Sequence, residues 1–270
     1  MNMLKKTVFL ATLLLGACAS VETTQPGMVG VERKQNMLVS SDTVNRSADN
    51  AYRKTISDAA GKGQLNRDPA QLERIRGIAR RLIVQTGAFR PDAPGWRWEV
   101  NVITSKEVNA WCMPGGKIAV YTGLIDRLQA TDEELAAVMG HEIAHALREH
   151  GRERASQAMA QGIGISVIGA ALGMRGGAQD LTQVVLDLTF NLPNSRTDET
   201  EADRIGVELA ARSGFDPHAA ISLWEKMSKL GGSQPPQFLS THPSHATRIS
   251  DLRGYAAKVQ PLYDAARAKR

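Results

Sequence analysis

The chain has 270 residues, 42% of them apolar and 23% charged, the composition of an ordinary globular protein and enough for one substantial domain. The formal charge is +5, but Lys5 and Lys6 lie in a segment expected to be removed, which takes +5 to +3, and the remaining basic residues form no long run. Nucleic acid is therefore excluded as an expected partner.

In chain order, Lys5 and Lys6 form a positive n-region and Thr7 to Leu15 a short apolar h-region ahead of Gly16 and Ala17. That organisation is a secretory signal, too short for a permanent span. Leu15-Gly16-Ala17-Cys18 resembles a bacterial lipobox, in which the cysteine is lipidated and becomes the first mature residue. Residues 1–17 are thus expected to be a lipoprotein signal peptide and Cys18 the lipidation site. Ala19 and Ser20 follow with no Asp after the cysteine. In the lipoproteins it resembles, this implies the periplasmic face of the outer membrane, with the acyl chains as anchor. No later stretch has the roughly 20 apolar residues of a spanning helix. The nearest, Ile163 to Met174, is short and Gly-rich and reads as a buried or surface-docking helix. With Cys18 lipidated, Cys112 has no partner for a disulfide, and between Trp111 and Met113 it reads as a small hydrophobe in a strand.

Residues 18–45 are polar and aperiodic and read as a lipidated N-terminus with a flexible tether; the domain is expected over 46–270. Leu72, Ile75, Ile78, Ala79, Leu82 and Ile83 follow a helical pattern that starts at Asp68-Pro69 and stops at Gly87. After a turn over Arg90 to Gly95, strands are expected at Trp96 to Ile103, Val108 to Met113 and Lys117 to Tyr121, the last two flanking Pro114-Gly115-Gly116. Beyond Leu124 nearly everything reads as helix, with breaks near Gly173 to Gly177, Pro193, Ser213-Gly214 and Gly231 to Pro236. The fold class is α+β, mostly helical, with a small sheet.

The chemistry concentrates at His141-Glu142-Ile143-Ala144-His145. Thr131 with Glu134 forms a capping box, and Leu135, Val138 and Met139 continue with helical spacing. Both imidazoles then leave one helix face and can reach one zinc ion, with Glu142 placed to take a proton from its water. Catalysis needs a third ligand and an open fourth position. Arg148 and Gly151 exclude the metzincin pattern, and His150, five residues past His145, falls about 140° round a continuous helix and faces away. A later helix offers Glu199 and Glu201. Glu199 shares a stripe with Ala202, Asp203 and Gly206, whereas Glu201 aligns with Arg204, Glu208 and Arg212 on a face that reads as solvated. Glu199 is the better ligand, and Asp203 could orient a ligating imidazole.

These motifs, with Thr241-His242-Pro243 and Arg248-Ile249, resemble the gluzincin peptidases, within the family of HtpX, the CAAX prenyl proteases, BepA and LoiP. The resemblance spans roughly residues 65 to 255. It implies a zincin-type core binding one Zn2+, with Glu199 as third ligand and Asp203 in support. It also implies that the segment Trp111-Cys112-Met113-Pro114-Gly115-Gly116 is an edge strand over the active-site helix, to which extended substrate adds. Asn109 would either polarise the scissile carbonyl or cap a turn, and His242 would stabilise the oxyanion, occupy the fourth position, or simply shape a loop. Arg248 would pair with a carboxylate near the site. Lacking the membrane spans of HtpX and the CAAX proteases, the chain resembles the soluble lipoprotein members, LoiP in particular. The expected activity is a zinc endopeptidase acting on misfolded or mis-assembled cell-envelope proteins, with the outer-membrane assembly machinery as a candidate partner. A chaperone-like or scaffolding lipoprotein that binds without cutting is the alternative.

Overall fold

The computed structural model describes residues 19–160, 181–230, 236–243 and 247–269. The signal segment, Cys18 and the apolar stretch 163–174 lie outside the described residues. Within them the chain is mostly helical with two small sheets, and no described helix is long and apolar enough to cross a membrane.

The polar segment read as a flexible tether is folded onto the domain. Strands β1 (Ala19–Val21) and β2 (Gln35–Met37) pair antiparallel, Val29, Val31 and Met37 are buried, and Gln35 is fully inaccessible. The segment shows no periodicity because its few apolar residues plug into a surface built by other elements. Helix α1 (Ser41–Gly61) follows, with Ser40 accepting from the Thr43 backbone N–H. In α2 (Pro69–Gln85), Asp68 caps the first turn and Ile75, Ile78, Ala79 and Leu82 are buried, matching the expected stripe.

Strand β3 (Glu99–Ile103) begins later than its Trp-rich sequence suggests. Trp96 and Trp98 instead stack on each other with ring centroids 5.5 Å apart, after a short 3-10 turn at Ala93–Gly95. Strands β4 (Ala110–Met113) and β5 (Lys117–Tyr121) form a hairpin, and β5 pairs parallel with β3. The order β3-β5-β4 leaves β4 at the edge. The hairpin turn places Gly115 and Gly116 at φ of 80° and 84°, a region glycine enters without a Cβ clash.

Helices α3 (Thr122–Leu128), α4 (Asp132–Leu147), α5 (His150–Ala160), α6 (Leu181–Phe190), α7 (Arg196–Arg212), α8 (Ala219–Lys229), the short α9 (Gln237–Thr241) and α10 (Arg248–Arg267) complete the described fold. The Thr131–Glu134 capping box is present, with the Glu134 N–H donating to Thr131 Oγ1 at 3.2 Å and the Thr131 N–H to Glu134 Oε2 at 3.0 Å. Helices α4 and α7 cross backbone to backbone at two glycines. A Cβ added at Gly206 would lie 2.7 Å from His141 N, and one at Gly140 would lie 2.9 Å from Gly206 O. Both contacts meet main chain, which cannot swing aside as a side chain can.

Overpacking of this kind costs about 1–3 kcal/mol. Gly206→Ala is therefore expected to lower urea-unfolding stability by that amount and to weaken metal binding, since His141 sits at the crossing. Gly254→Ala, where nothing lies within 4 Å of the added carbon, should be neutral or mildly stabilising. Equal stability of the two variants would refute the constraint.

Candidate metal centre

One turn apart on α4, His141 and His145 face each other with their Nε2 atoms 3.1 Å apart. Helix α7 brings the third group. Ser195 Oγ accepts from the Asp198 N–H at 3.1 Å while Asp198 accepts from the Ser195 N–H, a start that points Glu199 across the crossing. Glu199 Oε1 lies 3.4 Å from His145 Nε2 and Oε2 lies 3.5 Å from His141 Nε2. His242, just after α9, places Nδ1 3.2 Å from His141 Nε2 and 2.9 Å from Glu199 Oε1. The donor atoms of all four residues lie within 4.8 Å of one another.

Imidazole nitrogens and a carboxylate oxygen are the donors zinc takes. A tetrahedron with bonds of roughly 2.0–2.1 Å has edges of roughly 3.3–3.4 Å, the scale of these separations. The residues present fit a zinc ion, which His141, His145 and Glu199 would hold.

A second set of buried groups locks this arrangement. Arg248 donates from Nη1 to Glu199 Oε2 at 2.9 Å and from Nη2 to Asp203 Oδ1 at 2.6 Å, the carboxylate pairing expected of it. Asp203 Oδ1 lies 3.0 Å from His141 Nδ1, so it is placed to orient that ring. Asn194, for which the sequence carries no signal beyond its place before Ser195, donates to Glu199 Oε1 at 2.9 Å. Burial opposes the charge on Glu199, but the facing His242 and His141 rings hold its carboxyl well below the usual range.

Burial pushes the Glu142 carboxyl up from its ordinary value, against the pull of His242 and His141. That is the direction that makes a carboxylate a better base near neutral pH. Its Oε1 is buried with no hydrogen-bond partner among the described residues, 3.3 Å from His242 Nε2. Cys112 of β4 lies beside the same carboxylate on the wall of a cleft. The Cys112 thiol is pushed well above its usual value by burial, so it is a packed hydrophobe and not a nucleophile. The cleft opens here, with Trp111, Cys112 and Pro114 on one wall, Val184, Val185 and Leu188 on another, and Glu142, His145 and His242 exposed to it. Asn109 makes a local bond, its Oδ1 accepting from the Ala110 N–H at 2.9 Å.

Two readings of the sequence are corrected. His150 does not face away, because α4 ends at Leu147, Glu149 turns through φ of 52°, and His150 Nδ1 returns to within 2.9 Å of His145 Nδ1. Glu201 is not solvated. It is 6% exposed, accepting from Arg33 and Arg148 and facing His150. The N-terminal segment covers this face of α7, where Glu208 is also buried and accepts from the Val29 N–H. Even so, Glu199 and not Glu201 joins the donor group.

Glu199→Ala should accordingly lose zinc affinity by more than Glu201→Ala, whose loss is expected at about 10–100-fold together with a lower melting temperature from the arginines left unpaired. Chelator competition on both variants measures this, and the reverse ranking would overturn the ligand assignment.

Comparison with known proteins accords with this geometry. The model of peptidase family M48 matches residues 69–256, which include His141, Glu142, His145, Glu199, Asp203, His242 and Arg248. The chain is 33% identical over 224 residues to the mitochondrial metalloendopeptidase OMA1 of Schizosaccharomyces pombe, covering 82% of this chain and 64% of that protein. It is 41% identical over 157 residues to the OMA1 of Arabidopsis thaliana, covering 57% and 30%. It is 28% identical over 216 residues to the beta-barrel assembly-enhancing protease of Escherichia coli, covering 77% and 43%. The chain thus spans less than two thirds of the length of each of these relatives. On the match across α2 to α10, which carries the whole donor group, the chain belongs to peptidase family M48.

Proposed function

We propose that the chain is a zinc-dependent endopeptidase whose metal is held by His141, His145 and Glu199 and whose general base is Glu142. The observation that carries this reading is the buried carboxylate of Glu142 beside a four-donor group, at a cleft bordered by an edge strand. Zinc, when bound, supplies a Lewis acid for the scissile carbonyl and lowers the pKa of a coordinated water toward about 7. Extended polypeptide adds along Trp111 to Met113 and the turn Pro114-Gly115-Gly116, held by main-chain hydrogen bonds with little side-chain selectivity. Glu142 takes the proton of the attacking water and passes it to the leaving amine nitrogen.

His242 engages both the donor group and Glu142. In this reading it restrains the site as the fourth donor and moves aside for turnover, which is supported by both of its nitrogens facing the donor group and Glu142.

The substrates we propose are misfolded or mis-assembled envelope proteins, and the location is the periplasmic face of the outer membrane through a lipid on Cys18. The lipobox supports the anchor. The similarity to a protease named for β-barrel assembly supports the substrate class and the assembly machinery as partner.

One digestion assay tests the chemistry. With full-length protein in detergent micelles and an unfolded polypeptide as substrate, Glu142→Gln should keep its zinc and lose cleavage by at least about 100-fold. In the same assay His242→Ala should keep zinc and cleave faster than wild type. Equal cleavage by wild type and Glu142→Gln would sink the mechanism, no cleavage by any form would favour the chaperone-like alternative, and slower cleavage by His242→Ala would return His242 to the oxyanion. For the anchor, Cys18→Ser should shift the protein from the membrane to the soluble fraction on cell fractionation.

A further inference from the structure

We propose that His150 is a positioning residue for His145, and that Glu201, clamped by Arg148 and by Arg33 of the N-terminal segment, holds His150 in turn. The inference rests on the assignment of His145 as a zinc ligand. His145 turns Nε2 toward the donor group, which leaves Nδ1 for the protein, and His150 Nδ1 meets it at 2.9 Å. Two facing ring nitrogens share one proton, and the other end of His150 decides which ring owns it. His150 Nε2 lies 3.1 Å from Glu201 Oε2, and a carboxylate only accepts. His150 therefore carries its proton on Nε2 and offers a bare Nδ1, so the proton between the rings belongs to His145 Nδ1. That leaves the lone pair of His145 on Nε2, where the metal is held.

The relay is built to stay in place. His150 is 1% exposed. Glu201 is itself buried and accepts from Arg148 Nε at 2.9 Å and from Arg33 Nε at 2.7 Å. Glu149 reaches the left-handed φ of 52° that brings His150 back toward His145, a conformation side chains seldom adopt. It is secured by Ser41, Arg90 and Arg152 on its carboxylate. The two ligating rings are thus set differently, His141 with the carboxylate of Asp203 3.0 Å from its Nδ1 and His145 with a carboxylate acting through a second imidazole. The outer end of that chain is Arg33, in the segment that directly follows the expected lipid anchor.

The test measures zinc affinity of the full-length chain by chelator competition, together with melting of the metal-free protein, for His150→Leu and His150→Asn. Leu fills similar space without a hydrogen bond, whereas the Asn side-chain oxygen can still accept from His145 Nδ1. His150→Leu should bind zinc about 10–100-fold more weakly and lower kcat with KM within about twofold, and His150→Asn should recover part of the affinity. Zinc affinity of His150→Leu within about twofold of wild type would overturn the proposal, as would Asn binding no better than Leu. Should His150→Leu fail to fold, Glu201→Gln replaces it, with several-fold weaker zinc expected and unchanged zinc refuting the relay. If wild type and His145→Ala bind zinc equally, the ligand assignment itself fails, which is a separate outcome.

Discussion

Helices α4 and α7 approach so closely at Gly140 and Gly206 that a single methyl would collide with main chain. The metal centre depends on that approach. His141 and His145 belong to one helix and Glu199 to the other, and packing through ordinary side chains would hold the axes about 8–10 Å apart and move these donor atoms off the separations seen here. The glycines remove the side chains that would enforce such a separation. Arg248 then bridges Glu199 and Asp203 on α7, and Asp203 reaches back to His141 on α4, so the crossing is closed by charge as well as by packing.

Arginines flank the donor group on two sides, and they do different work. On one side Arg248 neutralises the carboxylates that would otherwise repel each other, with its guanidinium stacked 3.4 Å over Trp224. On the other, Arg33 and Arg148 hold Glu201 and through it His150. Burying charges at this density is costly. Removing one partner costs more, because it strands the other without water. The gain is a set of donors whose orientation is decided before any ion arrives, which is what a catalytic metal site needs.

The cleft follows from the same frame. Strand β4 packs directly against α4, so the edge available for an extended chain is held in fixed relation to the proposed base. His242 packs flat on Phe238 with ring centroids 4.3 Å apart and enters from the loop after α9. It is therefore the one member of the donor group carried by neither crossing helix, and the one whose displacement would leave the other three in place.

Local pattern determined much of this protein. The capping box at Thr131, the spacing of His141 and His145, the stripe that sets Glu199 inward, the Asp68-Pro69 helix start and the glycine hairpin are all short-range features, and periodicity and capping chemistry express them directly. What the tertiary structure alone decided has one common cause. The N-terminal segment, too polar to show a face of its own, lies over α7 and buries Glu201 and Glu208, so an amphipathic reading of that helix takes a covered face for a wet one. Likewise α1 hides in the sequence because its buried residues include Ser47, Ala48 and Ala51, too small to mark a stripe. His150 escaped because one left-handed residue, Glu149, broke the helical extrapolation, and that residue's conformation is held by Ser41, Arg90 and Arg152. Sequence periodicity reports what a segment does with its own neighbours. Which charges are buried, and by what, depends on partners dozens to more than a hundred residues away, and only the folded chain brings them together.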